Sequence, residues 1–153
     1  MSVEFRRVAV PDEIEALLIF DRRAFADFPA DLFDAEDWAG FVSYWMIVDG
    51  ETVGCSAVVH DEDYDETSKP ESLWIASTGI LPEHRRKGFG QMLKEWQIGY
   101  ASEHGFKVIV TNMRKSNDPI IALNEKLGFT VREISPEYYS EPNEDAIVME
   151  LQL

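Results

Sequence analysis

Residues 77–91 constrain the fold of this chain more than any other stretch, because they join a strand pattern to a helix pattern through a short basic loop. The strand is predicted over residues 73–80 by a run of apolar, β-compatible side chains, and the helix by apolar residues at helical spacing after Gly88. Such a loop points backbone N–H groups outward at a helix N-terminus, where the helix dipole favours anions. The stretch therefore predicts an α/β fold with an anion site at this turn.

The loop contains two glycines and three consecutive cations. Gly88 and Gly90 allow a phosphate to approach the backbone without a Cβ in the way. The cations are Arg85, Arg86 and Lys87. The spacing matches neither the nucleotide-binding P-loop nor the dinucleotide fingerprint. For these residues alone, a basic turn without a ligand is the alternative interpretation.

The charge of the whole chain makes this loop a basic island. The sequence has 29 acidic and 14 basic residues and a formal net charge of −15. An acidic chain argues against nucleic acid and anionic membranes as partners, because both bind a basic face. We therefore expect a soluble polyanion at the loop and a cationic second substrate.

Length and composition predict a single domain over residues 1–153, with 45% hydrophobic residues and enough chain for a sizeable core. Residues 1–7 lack the apolar stretch of a signal peptide, and we expect no membrane-spanning run. The single cysteine, Cys55, cannot form an internal disulfide, which is typical of a cytoplasmic protein. We interpret Cys55 as a small strand residue, and the alternative is a nucleophile.

The predicted elements follow the order β-α-α-β-β-β-α-β-α-β-β. Strands are predicted over residues 3–10, 42–48, 51–60, 73–80, 107–113, 129–134 and 146–153. Helices are predicted over residues 11–25 and 34–41, from the basic loop to His104, and from Asn117 as cap to Gly128. A hairpin turn is predicted at residues 49–50, an acidic loop at 61–71 and a polar, tyrosine-containing segment at 135–145. This order predicts an α/β fold with a mixed, mostly antiparallel seven-stranded sheet and helices on both faces.

The loop sequence Arg85-x-x-Gly88-x-Gly90 resembles Gln/Arg-x-x-Gly-x-Gly/Ala, the acyl-CoA pyrophosphate loop of the GCN5-related N-acetyltransferases, the GNAT superfamily. The resemblance implies a single-domain GNAT fold, acetyl-CoA as co-substrate and no metal. It also implies that the strand before the loop binds the pantetheine arm and that the loop binds the pyrophosphate. The cofactor-binding candidates are Ile80, Leu81, Arg85, Arg86, Lys87, Gly88, Phe89, Gly90, Gln91, Asn117 and Asn124.

A second block supports the same resemblance. Residues 111–117 and 122–129 are similar to the last motifs of the superfamily, in which an asparagine opens a helix that ends in E-K-x-G-F. Asn117 and Asn124 are seven residues apart on this helix and share a face, and amides on an otherwise apolar face need partners. Asn117 can be both a helix cap and a ligand contact. For Asn124 we favour a ligand contact over a boundary position.

Two positions depart from the usual pattern of the superfamily. Many members have a tyrosine at the place of Asn124, where it protonates the leaving thiolate. Bacterial enzymes that acetylate ribosomal-protein N-termini have a glutamate base at the place of Asn112. Asparagine cannot be a general acid, although its NH₂ group can donate a hydrogen bond to a thiolate. Mycothiol-synthase-like members are similar in having asparagines at both places and a T-G-V sequence, compared with Thr78-Gly79-Ile80.

Residues 137–149 resemble the Y-Y…E-D-A…M ending of protein N-terminal acetyltransferases, whose paired tyrosines lie over the substrate. The alternative for Tyr138 and Tyr139 is an amphipathic pair at a loop edge. The catalytic candidates are Tyr139, Asn124 and Asn112, and the substrate-binding candidates are Tyr138, Tyr139 and Glu71. Glu71 and Glu144 stay open as bases that act through water.

Proton transfer narrows the choice of acceptor. Neutralising a lysine side chain of pKa near 10.4 costs about 4.6 kcal/mol at pH 7, whereas an α-amine of pKa near 8 costs about 1.4 kcal/mol. We therefore expect transfer of an acetyl group from acetyl-CoA to a primary amine, with the N-terminal α-amine of a protein or peptide preferred. The alternatives are a small-molecule amine (a polyamine, amino sugar or amino acid) and a catalytically silent acyl-CoA-binding regulatory protein. Monomer and homodimer both stay open.

Overall fold

The computed structural model describes residues 1–60 and 72–153, and its elements follow the predicted order. The strands are β1 (Val3–Arg7), β2 (Val42–Val48), β3 (Glu51–Val59), β4 (Ser72–Ile80), β5 (Val108–Arg114), β6 (Thr130–Tyr139) and β7 (Glu144–Gln152). The helices are α1 (Ile14–Ala24), α2 (Ala35–Gly40), α3 (Phe89–Glu103) and α4 (Asp118–Lys126).

The strands form a seven-stranded sheet in the order β1-β2-β3-β4-β5-β7-β6. β4 and β5 are parallel, whereas β1–β2, β2–β3, β5–β7 and β6–β7 pair antiparallel. A parallel pair needs a long crossover connection, and α3 lies in the chain between β4 and β5. The predicted α/β class with a mixed, mostly antiparallel sheet is confirmed.

The chain divides into two compact units, and a single domain over residues 1–153 stays a prediction. The first unit contains Met1–Val59 and Ala76–Lys94. Its strands carry apolar side chains on both faces, since successive strand residues point to opposite sides. Trp45 packs in one cluster with Leu17 and Phe20 of α1. Met46, the next residue, packs in another cluster with Phe89 and Leu93 of α3. Helices therefore cover both faces of the sheet in this unit, as predicted.

Cys55 lies in the first of these clusters and is 1% exposed. Burial, together with the nearby Asp21 carboxyl, raises the pKa of the Cys55 thiol well above its ordinary value. A thiol that stays protonated at neutral pH is not a nucleophile. The interpretation of Cys55 as a small strand residue is confirmed.

The second unit contains His60–Ile75 and Glu95–Leu153. In it β7 pairs with both β5 and β6, and α4 contacts β7 through Asn124 and Met149. The predicted strands over residues 129–134 and 146–153 are too short at the polar segment between them, because β6 continues to Tyr139 and β7 begins at Glu144. Pro136 interrupts the ladder without ending it. The register shifts between Ser135 and Tyr139, and a proline needs no ladder donor at such a shift.

The prediction of β1 over residues 3–10 and of α1 over residues 11–25 is too long at their junction. β1 ends at Arg7 and α1 begins at Ile14. Between them the Ala9 amide donates to the Glu13 carboxylate, 2.8 Å away. This hydrogen bond closes a turn that the strand and helix patterns do not reveal.

Glu13 also connects β1 to β2. Its carboxylate accepts two hydrogen bonds from Arg6, at 3.1 and 3.2 Å, and one from Trp45 Nε1 at 3.2 Å. The hydrogen bonds from Arg6 and from the Ala9 amide lower the pKa of Glu13 from 4.5 to about 2. The pKa of Glu13 is lower in the folded than in the unfolded chain, so the ionised carboxylate stabilises the fold. This stabilisation is fully present above pH 4.5 and is lost as the pH falls through about 2.

We expect Glu13→Gln to lower the free energy of unfolding near pH 7 by about 1 kcal/mol, because the charge-assisted bonds are lost from a partly exposed site. The difference from the unchanged protein should shrink as the pH falls below 4.5. Urea unfolding at neutral and at acidic pH measures both values. Glu15→Gln, in the first turn of the same helix, is the control. A difference that is the same at both pH values would contradict this account.

Candidate functional site

The loop between β4 and α3 has a backbone that suits an anion. Arg86 and Gly88 have positive φ angles of 64° and 84°. A Cβ placed on Gly88 or Gly90 would meet no atom within 4 Å. The first helical hydrogen bond of α3 runs from the Met92 amide to the Gly88 carbonyl, so the preceding amides lie at the open end of the helix. Open space beside outward amides is what a phosphate requires.

The side chain of Arg85 connects this loop to β4 and α1 by hydrogen bonds. Its Nε donates to the Ile80 carbonyl at 3.1 Å, and its Nη2 donates to the carbonyl of Ala24 at the end of α1. The guanidinium therefore has a structural role, and a contact between Arg85 and a cofactor stays a prediction. Arg86 and Lys87 are exposed and present their charge to solvent.

Two of the predicted cofactor residues are buried. Leu81 and Phe89 are 5% and 8% exposed. The Leu81 amide donates to the Val53 carbonyl, and its carbonyl accepts from the His84 amide, both at 2.9 Å. The backbone of Leu81 therefore already has hydrogen-bond partners within the fold. Ile80, Gly90 and Gln91 are partly exposed.

The two asparagines of α4 have different surroundings. Asn117 is the N-cap, as predicted, and its side chain accepts from the Ile120 amide at 3.4 Å. Asn124 is fully buried, and its Nδ2 lies 3.7 Å from Met149 Sδ. The Asn124 Oδ1 has no hydrogen-bond partner in the described part of the chain. A ligand contact of Asn124 stays a prediction, and the unpartnered oxygen is a buried acceptor that such a contact would satisfy.

A row of hydrogen bonds in the second unit connects three predicted strands. Trp74 Nε1 of β4 donates to Asn112 Oδ1 of β5 at 3.1 Å, and Asn112 Nδ2 donates to the Tyr139 hydroxyl of β6 at 2.8 Å. Because an indole N–H can only donate, it fixes the Asn112 oxygen toward Trp74 and the amide nitrogen toward Tyr139. The Tyr139 oxygen therefore accepts a hydrogen bond from Asn112, and the Tyr139 O–H group is directed away from this amide.

Arg114 holds the segment that carries the tyrosines. It is 5% exposed, and its guanidinium donates to the carbonyls of Ser140 and Pro142, each at 2.9 Å, and to Glu144 at 3.2 Å. It also lies over the Tyr139 ring, 4.8 Å from the centroid. A buried arginine with this many acceptors fixes the turn between β6 and β7.

Glu144 takes part in the same arrangement. Its carboxylate accepts from the Ser116 amide at 2.6 Å and from Arg114. Hydrogen bonding to Ser116, and then the Arg114 guanidinium, lowers the pKa of Glu144. A lowered pKa weakens a base, so these contacts favour a structural role for Glu144 over the role of a base acting through water, which the sequence left open.

A cavity of about 260 Å³ lies beside this row. Its polar lining consists of Trp74, Asn112, Glu133, Ser135 and Tyr138, and its apolar lining of Ala146 and Val148. Tyr138 is 54% exposed, and its ring contacts that of Tyr139 edge-on, with 4.9 Å between centroids. The structure thus brings Asn112, Tyr138 and Tyr139 together, while Glu71 lies outside the described residues.

Three residues of this region were not among the sequence-based candidates. In the sequence Trp74 is one residue of the predicted strand over residues 73–80. Arg114 belongs to the motif over residues 111–117, but no role was assigned to it. Glu133 lies in the predicted strand over residues 129–134 without an assigned role, and it is exposed in the structure. Only pairing between distant strands brings these side chains to one face, and no local spacing indicates it.

No group of three histidine, cysteine or acidic side chains within residues 1–60 and 72–153 could hold a metal. In the same residues, no helix is both long enough and apolar enough to cross a membrane.

A sequence model described as the acetyltransferase (GNAT) family matches residues 8–129. The ribosomal protein bS18-alanine N-acetyltransferase of Salmonella typhimurium is 38% identical over 81 residues, which are 52% of this chain and 55% of that protein. The N-alpha-acetyltransferase of Saccharolobus solfataricus is 30% identical over 115 residues, 72% of this chain and 68% of that protein. The match thus spans about half the length of the first of these relatives.

A solved structure shows the same fold. It is an acetyltransferase from Salmonella typhimurium with its cofactor acetyl-CoA, which superposes with a TM-score of 0.79. The superposition covers 100% of this chain and 95% of that one at 20% identity.

Proposed function

This chain belongs to the acetyltransferase (GNAT) family, and from that premise we propose that it transfers an acetyl group from acetyl-CoA to the N-terminal α-amine of a protein or peptide. The observation that carries the proposal is the row Trp74–Asn112–Tyr139, which orients a tyrosine hydroxyl beside a cavity lined by Tyr138. The α-amine is preferred over a lysine side chain because it loses its proton at lower cost near neutral pH.

The basic loop is the proposed binding site for the pyrophosphate of acetyl-CoA. Gly88 and Gly90 leave room for the phosphates at the open end of α3. The exposed side chains of Arg86 and Lys87 would attract the phosphates and form a local positive charge in a chain whose net charge is −15. When bound, acetyl-CoA supplies the thioester carbonyl that the amine attacks.

Tyr139 is the proposed proton donor to the departing thiolate, and the tyrosinate regains a proton from the nitrogen that has formed the amide bond. The unperturbed pKa of a tyrosine, near 10, is close to the 8.5 of a thiol, so transfer on departure is feasible. Asn112 cannot exchange a proton in this way. Its proposed role is to hold the Tyr139 oxygen, so that the phenolic proton points away from the amide.

We also propose that the acceptor is cationic, because acids outnumber bases by 29 to 14 in the chain. A cytoplasmic location and a monomer or homodimer stay predictions.

Acetyl-CoA turnover tests the proposal directly. Thiol release should be measured with short peptides that have a free N-terminus, with the same peptides blocked at the α-amine, and with polyamines, amino sugars and free amino acids. We expect release with the free peptides alone and a product that is acetylated at the α-amine by mass spectrometry. Turnover of small amines in place of peptides would replace the proposed acceptor. Tight acetyl-CoA binding without turnover of any amine would instead support a regulatory binding protein.

A further inference from the structure

We propose that Glu133 selects acceptor peptides with a lysine or arginine at the second position, next to the residue that carries the α-amine. Its carboxylate would pair in the cavity with the charged end of that side chain. This inference rests on the proposed function for the identity of the acceptor. The placement of Glu133 in the cavity does not.

A bulge in β6 brings Glu133 to the cavity face. Val131 pairs with Met149, but Glu133 pairs with Val148, the residue that a regular ladder would place opposite Arg132. Without the bulge Glu133 would lie opposite Ile147 and point to the other face, because side chains alternate along a strand. Bulges are common where a side chain is re-aimed toward a functional site.

The cross-strand register shows which face this is. Val148 also pairs with Asn112 of β5, and residues opposite each other in a ladder share a face. Glu133 therefore lies on the face that carries Asn112, and both line the same cavity.

The cations near this face already have acidic partners. Arg132, the residue before Glu133, lies 3.8 Å from Glu150, and Arg114 pairs with Glu144. In the described part of the chain the Glu133 carboxylate has no ion pair or side-chain hydrogen bond. Glu133 is exposed, so its carboxylate is open to a ligand that enters the cavity.

The size and lining of the cavity favour one basic side chain as that partner. A volume of about 260 Å³ is just below the roughly 300–1,000 Å³ of small-molecule pockets. The apolar atoms of Val148 and Ala146 can contact the methylene groups of a lysine or arginine while its charged end reaches Glu133. A peptide with a basic second residue would place its α-amine and this cation within one residue of each other.

Two peptides that differ only in this charge test the inference. One has lysine at its second position, and the other has norleucine, which keeps the methylene groups without the charge. We expect Glu133→Gln to raise KM for the lysine peptide about two- to five-fold without changing kcat, and to leave the norleucine peptide unaffected. Glu137→Gln, an exposed glutamate on the same strand that does not line the cavity, is the control and should change neither.

Equal changes for the two peptides, or no change for either, would overturn the proposed selectivity. If the unchanged protein acetylates neither peptide, the proposed function fails, and calorimetric binding of the same two peptides then tests Glu133 alone. Weaker binding of the lysine peptide in Glu133→Gln, with the norleucine peptide unchanged, would still support the cation site. Identical binding of both peptides to both proteins would remove it.

Discussion

Gly90→Glu is expected to lower the affinity for acetyl-CoA by about 100-fold or more, because the new carboxylate would lie at the proposed pyrophosphate position, where like charges repel by a few kcal/mol. The fold should survive, since a side chain at Gly90 meets no atom within 4 Å and an acid in the first turn of a helix is favourable. Isothermal calorimetry with acetyl-CoA, together with thermal unfolding, measures both effects.

Gly99→Glu is the matched control for this change. Gly99 lies on the same helix, is exposed and also has open space around it, so the variant adds the same charge away from the loop. We expect it to bind acetyl-CoA as the unchanged protein does. Gly88→Glu is a weaker test, because the φ of 84° at Gly88 would add backbone strain. Unchanged affinity in Gly90→Glu would rule out the loop as the pyrophosphate site.

Tyr139→Phe is expected to lower kcat by about ten-fold or more, the usual contribution of a general acid. Phenylalanine keeps the ring under Arg114 but removes the phenolic proton. Affinity for acetyl-CoA should stay unchanged, because the hydroxyl acts on the leaving group. Steady-state kinetics with a peptide acceptor, and calorimetry with acetyl-CoA, separate these two quantities.

Tyr138→Phe is the neighbouring control, and it should act on a different step. Tyr138 lines the cavity, so we expect a higher KM for the acceptor, more for peptides than for small amines, with kcat retained. If both variants keep full activity, the resemblance to protein N-terminal acetyltransferases has misassigned the tyrosines. A water molecule would then be the proton carrier.

Local signals in the sequence were sufficient for most of the fold. The turn between β2 and β3 has positive φ at Asp49 and Gly50, 49° and 82°, as an Asp-Gly hairpin requires. Asn117 caps α4, and Gly105 and Gly128 follow the ends of α3 and α4 with positive φ. Each of these features depends on a few consecutive residues, so the sequence alone predicts it.

The candidate site was predictable only where its residues belong to a motif. Glu133 reaches the cavity through a bulge, and the hydrophobic pattern of β6 does not reveal a one-residue shift. Trp74 acquires its role from Asn112, 38 positions away in sequence. Arg85 looks like a phosphate ligand by charge, yet its guanidinium binds carbonyls of the protein itself. Side-chain roles that depend on distant partners need the tertiary structure.

The hydrogen bonds of Arg85 affect the entropy that acetyl-CoA binding would cost. A flexible loop loses about 1–2 kcal/mol of conformational entropy for each residue that becomes ordered. Here the hydrogen bonds from Arg85 to Ile80 and Ala24 hold the first residue of the loop in place when the chain folds. Acetyl-CoA would therefore bind a loop in which Arg85 is already ordered, and its binding free energy would not be reduced by the ordering of this residue.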